Sequence, residues 1–200
     1  VRLSEVGASA GLNLNLDRFR HDLGGVIAGD PRSPVRLTPD WQGPPPPAGP
    51  IEILERAGCD RRPVDISQSE DRLRLLSYLW PDQQDRLERS RAAVEIAQAW
   101  PPPVAAADAI DWLADRLASR HVGAVHVIAH TIMWQYLSPE AREAGDTLIA
   151  KAGAGADAEA PLARLSMEQD GDRNGAGLTL QIWPGGEKHQ LGRVDFHGRW

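Results

Sequence analysis

Short apolar runs alternate with longer segments of helical spacing along most of the chain. Arg2–Val6 is predicted as the first strand, and leucines at positions 12, 14 and 16 indicate a helix after the small-residue turn that follows it. Further strands are predicted at residues 51–55, 104–107 and 125–129. Helices are predicted at residues 69–79, 81–99, 110–117 and from Ser138 to near Gly153. This alternation predicts an α/β fold with a parallel sheet.

The C-terminal part of the chain follows a different pattern. Leu162–Glu168 and residues 178–183 and 189–196 alternate apolar and polar positions, with turn residues between them. Such alternation is typical of antiparallel strands. The chain is therefore predicted to form an open, doubly wound, mostly parallel Rossmann-like sheet that ends in antiparallel strands.

Residues 21–50 interrupt this regular order with a Gly- and Pro-rich segment. We predict a small hairpin that pairs residues 25–28 with residues 35–38, followed by an extended polyproline stretch. Because this segment has no core pattern of its own, it is interpreted as an irregular insertion, and residues 1–200 are predicted to form a single domain.

Composition restricts the class of protein and its partners. A chain of 200 residues with 42% hydrophobic and 25% charged side chains can bury the core of one globular domain. The net charge of -6 disfavours nucleic acid as a partner. No apolar run reaches the ~20 residues of a membrane span, so no membrane partner is predicted. The single Cys59 cannot form an internal disulfide, which fits the cytoplasm.

The turn after the first strand is the main candidate for chemistry. A strand that ends at a glycine turn before a helix is how an α/β sheet presents backbone amides to a ligand. The dinucleotide fingerprint fails here, because its three glycine positions hold Gly7, Ser9 and Leu12. A phosphate-binding Walker loop also fails, because the sequence lacks Gly-Lys-Ser/Thr.

A serine nucleophile is one hypothesis that this turn allows. Gly7-Ala8-Ser9-Ala10-Gly11 matches the G-x-S-x-G nucleophile elbow in the strand-turn-helix context that it requires. Asp108 or Asp157 and then His197 would complete a Ser, acid, His order. The carboxylate of Glu5 counts against this hypothesis, because small or apolar residues are favoured at the end of such a strand.

The spacing Glu5-x-Gly7-x-x-x-Gly11 also resembles the first motif of S-adenosylmethionine-dependent methyltransferases. Beyond this motif, the chain resembles a bacterial family of uncharacterised function with a methyltransferase-like Rossmann fold. The segments that carry the resemblance are EVGASAGLNLNL at residues 5–16, GCD at 58–60, PVD at 63–65, LWPDQ at 79–83, HTIMWQYL at 130–137 and HGRW at 197–200. Members of that family are usually longer, with a helical region ahead of the turn, so we expect that residues upstream of Val1 are missing.

The resemblance implies S-adenosylmethionine as cofactor and a set of residues that bind it. Gly7, Ala8, Ser9 and Gly11 would let the backbone approach the methionine part, and Glu5 would lie near its ammonium group.

The same resemblance assigns an acid to each of the next two strands. Glu55, at the end of the second predicted strand, would bond the ribose hydroxyls, although it follows Gly7 by 48 residues instead of the usual ~20. An equally weighted alternative is a surface ion pair of Glu55 with Arg56 or Arg61. Asp108 would contact the adenine amino group, and it is also a candidate N-cap of the next helix.

His130 follows the fourth predicted strand, where methyltransferases place reacting groups. A histidine there can act as a general base, although most histidines after an apolar strand are structural. Trp134 and Tyr136 would wall a pocket or belong to the core. No metal site is predicted, because the sequence contains neither a His-x-x-x-His pair nor two cysteines.

Three functions stay open on this basis. The first is a methyltransferase-like protein that acts on a small molecule, the second is a serine hydrolase, and the third is a ligand-binding relative of the same fold without catalysis.

The seven tryptophans are unusual beside two phenylalanines and two tyrosines. Trp80, Trp134 and Trp200 fall in the family-like segments, and Trp183 ends a predicted strand. We interpret them as parts of a recurrent scaffold.

Overall fold

The computed structural model describes residues 1–195 of the chain. The strands are β1 Arg2–Val6, β2 Arg20–Leu23, β3 Val26–Gly29, β4 Arg36–Leu37, β5 Glu55–Asp60, β6 Val104–Ala106, β7 His126–Thr131, β8 Leu162–Glu168, β9 Ala176–Trp183 and β10 Glu187–Val194. The α-helices are α1 Ser69–Ser77, α2 Gln84–Ala99, α3 Ala109–Leu117 and α4 Pro139–Ala154. Two 3₁₀ helices lie at Leu12–Arg18 and Trp134–Tyr136.

Seven of the strands form one sheet in the order β10-β9-β8-β7-β1-β5-β6. The five neighbouring strands β6, β5, β1, β7 and β8 run parallel to one another. β9 pairs antiparallel with β8, and β10 pairs antiparallel with β9. The predicted α/β class is confirmed, as are the mostly parallel sheet and the antiparallel strands at its end. The carboxyl ends of β1, β5, β6, β7 and β8 meet at one edge, here called the carboxyl edge; their starts form the amino edge.

The insertion forms a second, three-stranded sheet with the order β3-β2-β4. β3 pairs antiparallel with β2, and β4 pairs parallel with the other side of β2. The predicted hairpin between residues 25–28 and 35–38 is therefore wrong. Residues 20–23, which are polar and only half-buried, form the central strand instead, because a sheet this small does not require an apolar central strand.

The second strand of the large sheet also differs from the prediction. It spans Glu55–Asp60 and not residues 51–55, where Ile51 and Leu54 are 56% and 60% exposed. The residues of this strand are small or polar because of the side chains that pack against them. A Cβ at Gly58 would lie 2.7 Å from the Ala8 side chain, and Arg56 bonds both carboxylate oxygens of Asp17.

Several helix predictions are confirmed with changed ends. The helix predicted after Gly11 is a 3₁₀ helix with a kink at Asn15. α2 begins at Gln84, three residues after the predicted start at Pro81. Ser138 caps α4 by accepting a hydrogen bond from the Ala141 N–H, with Pro139 in the first turn as predicted.

The two faces of the large sheet pack against different helices. Side chains alternate along β1, so Ser4 and Val6 point to the face that α3 and α4 cover, and Leu3 and Glu5 point to the opposite face. The first face buries the main core, whose members include Val6, Ile128, Leu113, Ile149, Leu162 and Trp183. The 3₁₀ helix after Gly11 and α2 pack together on the opposite face.

Tryptophans contribute unequally to the packing. Trp134 and Trp183 are buried against α4, where a Cβ at Gly145 or at Gly153 would lie 2.8 or 2.5 Å from their rings. Trp80, by contrast, is 69% exposed. The scaffold interpretation therefore applies to Trp134 and Trp183 and not to Trp80, and Trp200 lies outside the described residues.

Within residues 1–195, the longest and most apolar helices fall short of what is needed to cross a membrane.

Candidate functional site

The turn that follows β1 has a backbone that few sequences can adopt. Gly7, Ser9 and Gly11 all have positive φ angles, of 74°, 52° and 68°. The N–H groups of Gly7 and Ala8 donate to the Cys59 carbonyl, and the Ser9 N–H donates to Asp60 Oδ2 at 2.9 Å. The turn is therefore held over the carboxyl end of β5 by three hydrogen bonds.

Both glycines of the turn are required by contacts with the protein itself. A Cβ at Gly7 would lie 2.8 Å from Met133 Cβ and Cγ. A Cβ at Gly11 would lie 2.7 Å from Pro102 Cγ and from Val104 Cγ2. The side of each glycine that a Cβ would occupy thus faces protein atoms, and the positive φ angles add a second reason for glycine.

Glu5 is a buried acid directly beneath this turn. Glu5 is the penultimate residue of β1 and is 4% exposed, and its Oε1 accepts a hydrogen bond of 2.8 Å from Asn13 Nδ2. Its Oε2 is buried and has no partner among the described residues. Burial raises the pKa of Glu5 to about 7, and the hydrogen bond from Asn13 opposes that rise only in part. A cationic or hydrogen-bond-donating group beside Oε2 would remove this penalty.

Two more acids lie at the carboxyl ends of the neighbouring strands. Asp60 ends β5, and its Oδ1 and Oδ2 accept from the N–H groups of Arg62 and Ser9. Asp108 follows β6, is exposed, and accepts from the Ile110 N–H as the N-cap of α3. The predicted capping role of Asp108 is therefore confirmed. Each carboxylate has lone pairs left for a ligand.

Glu55 lies at the opposite edge of the sheet from the turn. Because β5 starts rather than ends at Glu55, this residue is about 13 Å along the strand from Cys59 beside the turn. Its carboxylate pairs with Arg2 Nε at 2.8 Å and with Arg116 Nη1 at 2.5 Å. The structure therefore does not bring Glu55 to the turn, and its arginine partners are not the ones predicted.

Asp60 is the residue that the sequence reasoning missed at this position. The signal was present in GCD at residues 58–60, which was quoted for the family resemblance. The more apolar residues 51–55 predict a strand whose carboxyl end lies five residues before the observed end at Asp60. A strand end at Asp60 would have identified this acid as the one nearest the turn.

His130 is enclosed by partners on both ring nitrogens. It is 1% exposed; its Nδ1 lies 2.7 Å from Glu168 Oε1, and Arg164 Nε donates to its Nε2 at 3.0 Å. An arginine cannot accept a hydrogen bond, so Nε2 is the acceptor and Nδ1 carries the proton. Burial lowers the pKa of His130, although the hydrogen bond to Glu168 opposes this shift. The lowered pKa keeps the ring neutral. This geometry favours the structural alternative for His130 over general-base catalysis.

Ser9 has the strained backbone of a nucleophile elbow but lacks the partner of one. Its φ of 52° is unusual for a residue with a side chain. None of the five histidines within residues 1–195, at positions 21, 121, 126, 130 and 189, hydrogen-bonds the Ser9 side chain. Asp157 pairs with Arg120 near the amino edge. His197 lies outside the described residues.

A model of the family described as "Uncharacterized protein conserved in bacteria (DUF2332)" matches residues 1–200. No curated protein and no solved structure matches the chain.

Proposed function

We propose that this chain, which belongs to the bacterial family of uncharacterised proteins matched over residues 1–200, binds S-adenosylmethionine at the carboxyl edge and transfers its methyl group to a small molecule. The residues that would hold the cofactor are Glu5, Asp60 and Asp108, together with the turn from Gly7 to Gly11.

The strand order supports a ligand at this edge. Numbered along the large sheet, β6-β5-β1-β7-β8 runs third, second, first, fourth, fifth, which is the order of a doubly wound nucleotide-binding sheet. The order reverses between β1 and β7. Ligands of such sheets bind outside the carboxyl ends of the strands at this reversal, and the turn with Gly7 and Ser9 lies there.

The unpartnered oxygen of Glu5 carries the proposal. A carboxylate that is 4% exposed and has one hydrogen bond is unfavourable unless another donor completes it. The methionine part of S-adenosylmethionine carries an ammonium group, which can donate to Glu5 Oε2 and stabilise its charge. Gly7 and Gly11 do not add to this support, because the side of each that lacks a Cβ faces the protein atoms of Met133 or Pro102 and not a ligand.

Asp60 and Asp108 extend the same set of acids along the edge. They follow β5 and β6, the next two strands in the sheet. An acid after the second strand commonly accepts from ribose hydroxyls in nucleotide-binding sheets. Asp60 therefore takes the place that the sequence analysis gave to Glu55, and Asp108 keeps its place beside the adenine amino group.

When bound, the cofactor supplies an electrophilic methyl group on a sulfonium sulfur. The chain's own residues hold and orient it, since alignment and exclusion of water are what methyl transfer mainly needs. His130 has no free ring nitrogen to act as a base. We therefore expect an acceptor that needs no proton removed by the chain, such as a carboxylate, and the net charge of -6 disfavours nucleic acid.

Calorimetric titration with S-adenosylmethionine and with its demethylated product tests the proposal. We expect binding of both, weakened about tenfold or more by Glu5→Gln, because that variant removes a charge-assisted hydrogen bond. Glu55→Gln is the matched control, since it changes an acid at the other edge and should leave binding unchanged. Absence of heat at millimolar ligand, or equal binding by Glu5→Gln and the parent chain, would sink the proposal.

A serine hydrolase is the second candidate, favoured by the strained φ of Ser9 alone. In that case a fluorophosphonate probe would label the chain, and Ser9→Ala would abolish the labelling. An unlabelled chain in which Ser9 is present rules this candidate out.

A further inference from the structure

A cavity of about 260 Å³ lies between α4 and the antiparallel strands. It opens on the sheet face that carries His130, Arg164 and Glu168, whereas Glu5 points to the other face. The proposed cofactor site therefore does not include it. Its size suits a small metabolite rather than a nucleotide, since drug-sized ligands occupy pockets of roughly 300–1,000 Å³.

The side chains at the floor of this cavity contact and hydrogen-bond one another. Trp134 stacks on His130 with ring centroids 4.6 Å apart, and the Arg164 guanidinium lies 4.6 Å from the centroid of the Trp134 ring. Glu168 Oε1 accepts from His130 and from the N–H groups of Met133 and Trp134.

Three buried polar atoms in the residues that line this cavity nevertheless lack partners. They are Trp134 Nε1, Gln135 Oε1 and Glu168 Oε2. One is a donor and two are acceptors. Only three other buried side-chain atoms in the described part of the chain are unpartnered, so half of the set is concentrated at one small cavity. A ligand with both donors and an acceptor would satisfy all three.

The cavity also has uncommitted positive charge at its wall. Arg164 is already paired with Asp146 at 2.7 Å. Arg142 on α4 and Lys188 on β10 also line the cavity, and neither side chain pairs with an acid within residues 1–195. An anionic group at this wall would meet two available cations.

We propose that this cavity binds a free α-amino acid. Its ammonium group donates to Glu168 Oε2 and Gln135 Oε1, and its carboxylate pairs with Arg142 and Lys188 and accepts from Trp134 Nε1. The complementary positions of acceptors and cations select a zwitterion over a simple anion or amine, because each half of the ligand satisfies groups that the other half cannot.

The experiment is calorimetric titration of the chain with each proteinogenic amino acid, and with acetate and methylammonium as single-function probes. We expect at least one amino acid to bind, at least tenfold more tightly than either probe. In a ¹H–¹⁵N spectrum, one tryptophan indole signal, absent from Trp134→Phe, should shift on binding. No binding by any amino acid at millimolar concentration, or acetate binding equally well, would overturn the proposal.

Variants at the surface of the cavity test its residues without disturbing the core. Arg142→Ala and Lys188→Ala should each weaken binding several-fold, and Gln135→Leu should weaken it as well. Lys151→Ala, which removes a cation from the other end of α4, is the matched control and should bind like the parent chain. Unchanged binding by the Arg142→Ala, Lys188→Ala double variant contradicts the assigned pocket. Because Glu5→Gln should leave amino-acid binding intact, failure here is distinguishable from failure of the proposed cofactor site.

Discussion

The carboxyl and amino edges of the large sheet treat acidic side chains in opposite ways. At the carboxyl edge, Glu5 is buried with one hydrogen bond, and burial raises its pKa to about 7. At the amino edge, burial also acts to raise the pKa of Glu55. Hydrogen bonds and charge from Arg116 and Arg2 outweigh it and hold that pKa below the ordinary value. The number of partners, rather than the residue type, decides the direction.

The amino edge continues as a hydrogen-bonding network in which one buried nitrogen, Arg116 Nη2, has no partner among the described residues. Arg116 Nε donates to Ser4 Oγ at 3.1 Å, and Ser4 Oγ lies 2.9 Å from His126 Nε2. Burial, then Arg2 and Arg116, lower the pKa of His126 to about 3, so the ring is neutral. The acid of the amino edge, Glu55, is thus satisfied by two arginines, whereas Glu5 at the carboxyl edge keeps an unpartnered oxygen, beside which a ligand is expected.

The largest effect should come from adding a methyl group in the turn at the carboxyl edge. Gly7→Ala places a Cβ 2.8 Å from Met133 and strains a φ of +74°. We expect a loss of about 3 kcal/mol or more in the free energy of unfolding, from overpacking and left-handed strain together. Gly123→Ala at the amino edge, with a φ of +83° and open space, is the control and should lose only about 1 kcal/mol. Equal losses in urea denaturation would show that contact with Met133 does not constrain the turn.

The two acids should respond to pH with opposite signs. The raised pKa of Glu5 gives stability that is fully present below pH 4.5, falls as pH rises to about 7, and is constant above that. Glu5→Gln should therefore gain about 2–3 kcal/mol over the parent chain at pH 8 and almost nothing at pH 4. Urea denaturation at both pH values measures this difference.

Glu55→Gln completes the comparison from the amino edge. The lowered pKa of Glu55 gives stability that is present above its ordinary value of 4.5 and is lost as pH falls through the folded value. The variant should lose about 1 kcal/mol at pH 7, a modest amount because the carboxylate is partly exposed and screened. A gain at pH 7, or a loss for Glu5→Gln that is the same at both pH values, contradicts the contrast between the edges.

The smallest effect should come from one of two serines in the same segment. Ser4→Ala removes a buried hydroxyl that joins Arg116 to His126, so we expect a loss of about 1–2 kcal/mol. Ser9→Ala removes a hydroxyl with no hydrogen bond to any residue in the described part of the chain, so the change should stay within about 0.5 kcal/mol. Thermal and urea unfolding measure both. A larger loss for Ser9→Ala than for Ser4→Ala would reverse the ranking.

Local pattern was enough to predict most of the large sheet. β7 and β8 to β10 have the continuous apolar or alternating character that burial on two faces or on one face imposes. The N-caps Ser138 and Asp108 were also readable, because a cap acts within three residues of itself.

Long-range contacts explain where the predictions failed. The predicted position of β5 is wrong because its small and polar residues fit contacts with Ala8, Leu14 and Asp17. These partners lie about forty residues or more away in sequence. As a consequence, Asp60 and not Glu55 is the acid of this strand that lies at the turn. His130 was a reasonable catalytic candidate by position, but Arg164 and Glu168 on the next strand occupy both of its ring nitrogens.

Periodicity and the local glycines are enough to predict the class of fold, the glycine turn after β1 and an acid at Glu5, because each depends on residues close together in the chain. Which acids are satisfied depends on the packing of distant strands. Glu55 gains two arginines, while Glu5 keeps an orphan oxygen. That outcome depends on which strands become neighbours, and partners distant in the chain decide whether a buried charge stabilises the fold or is left for a ligand.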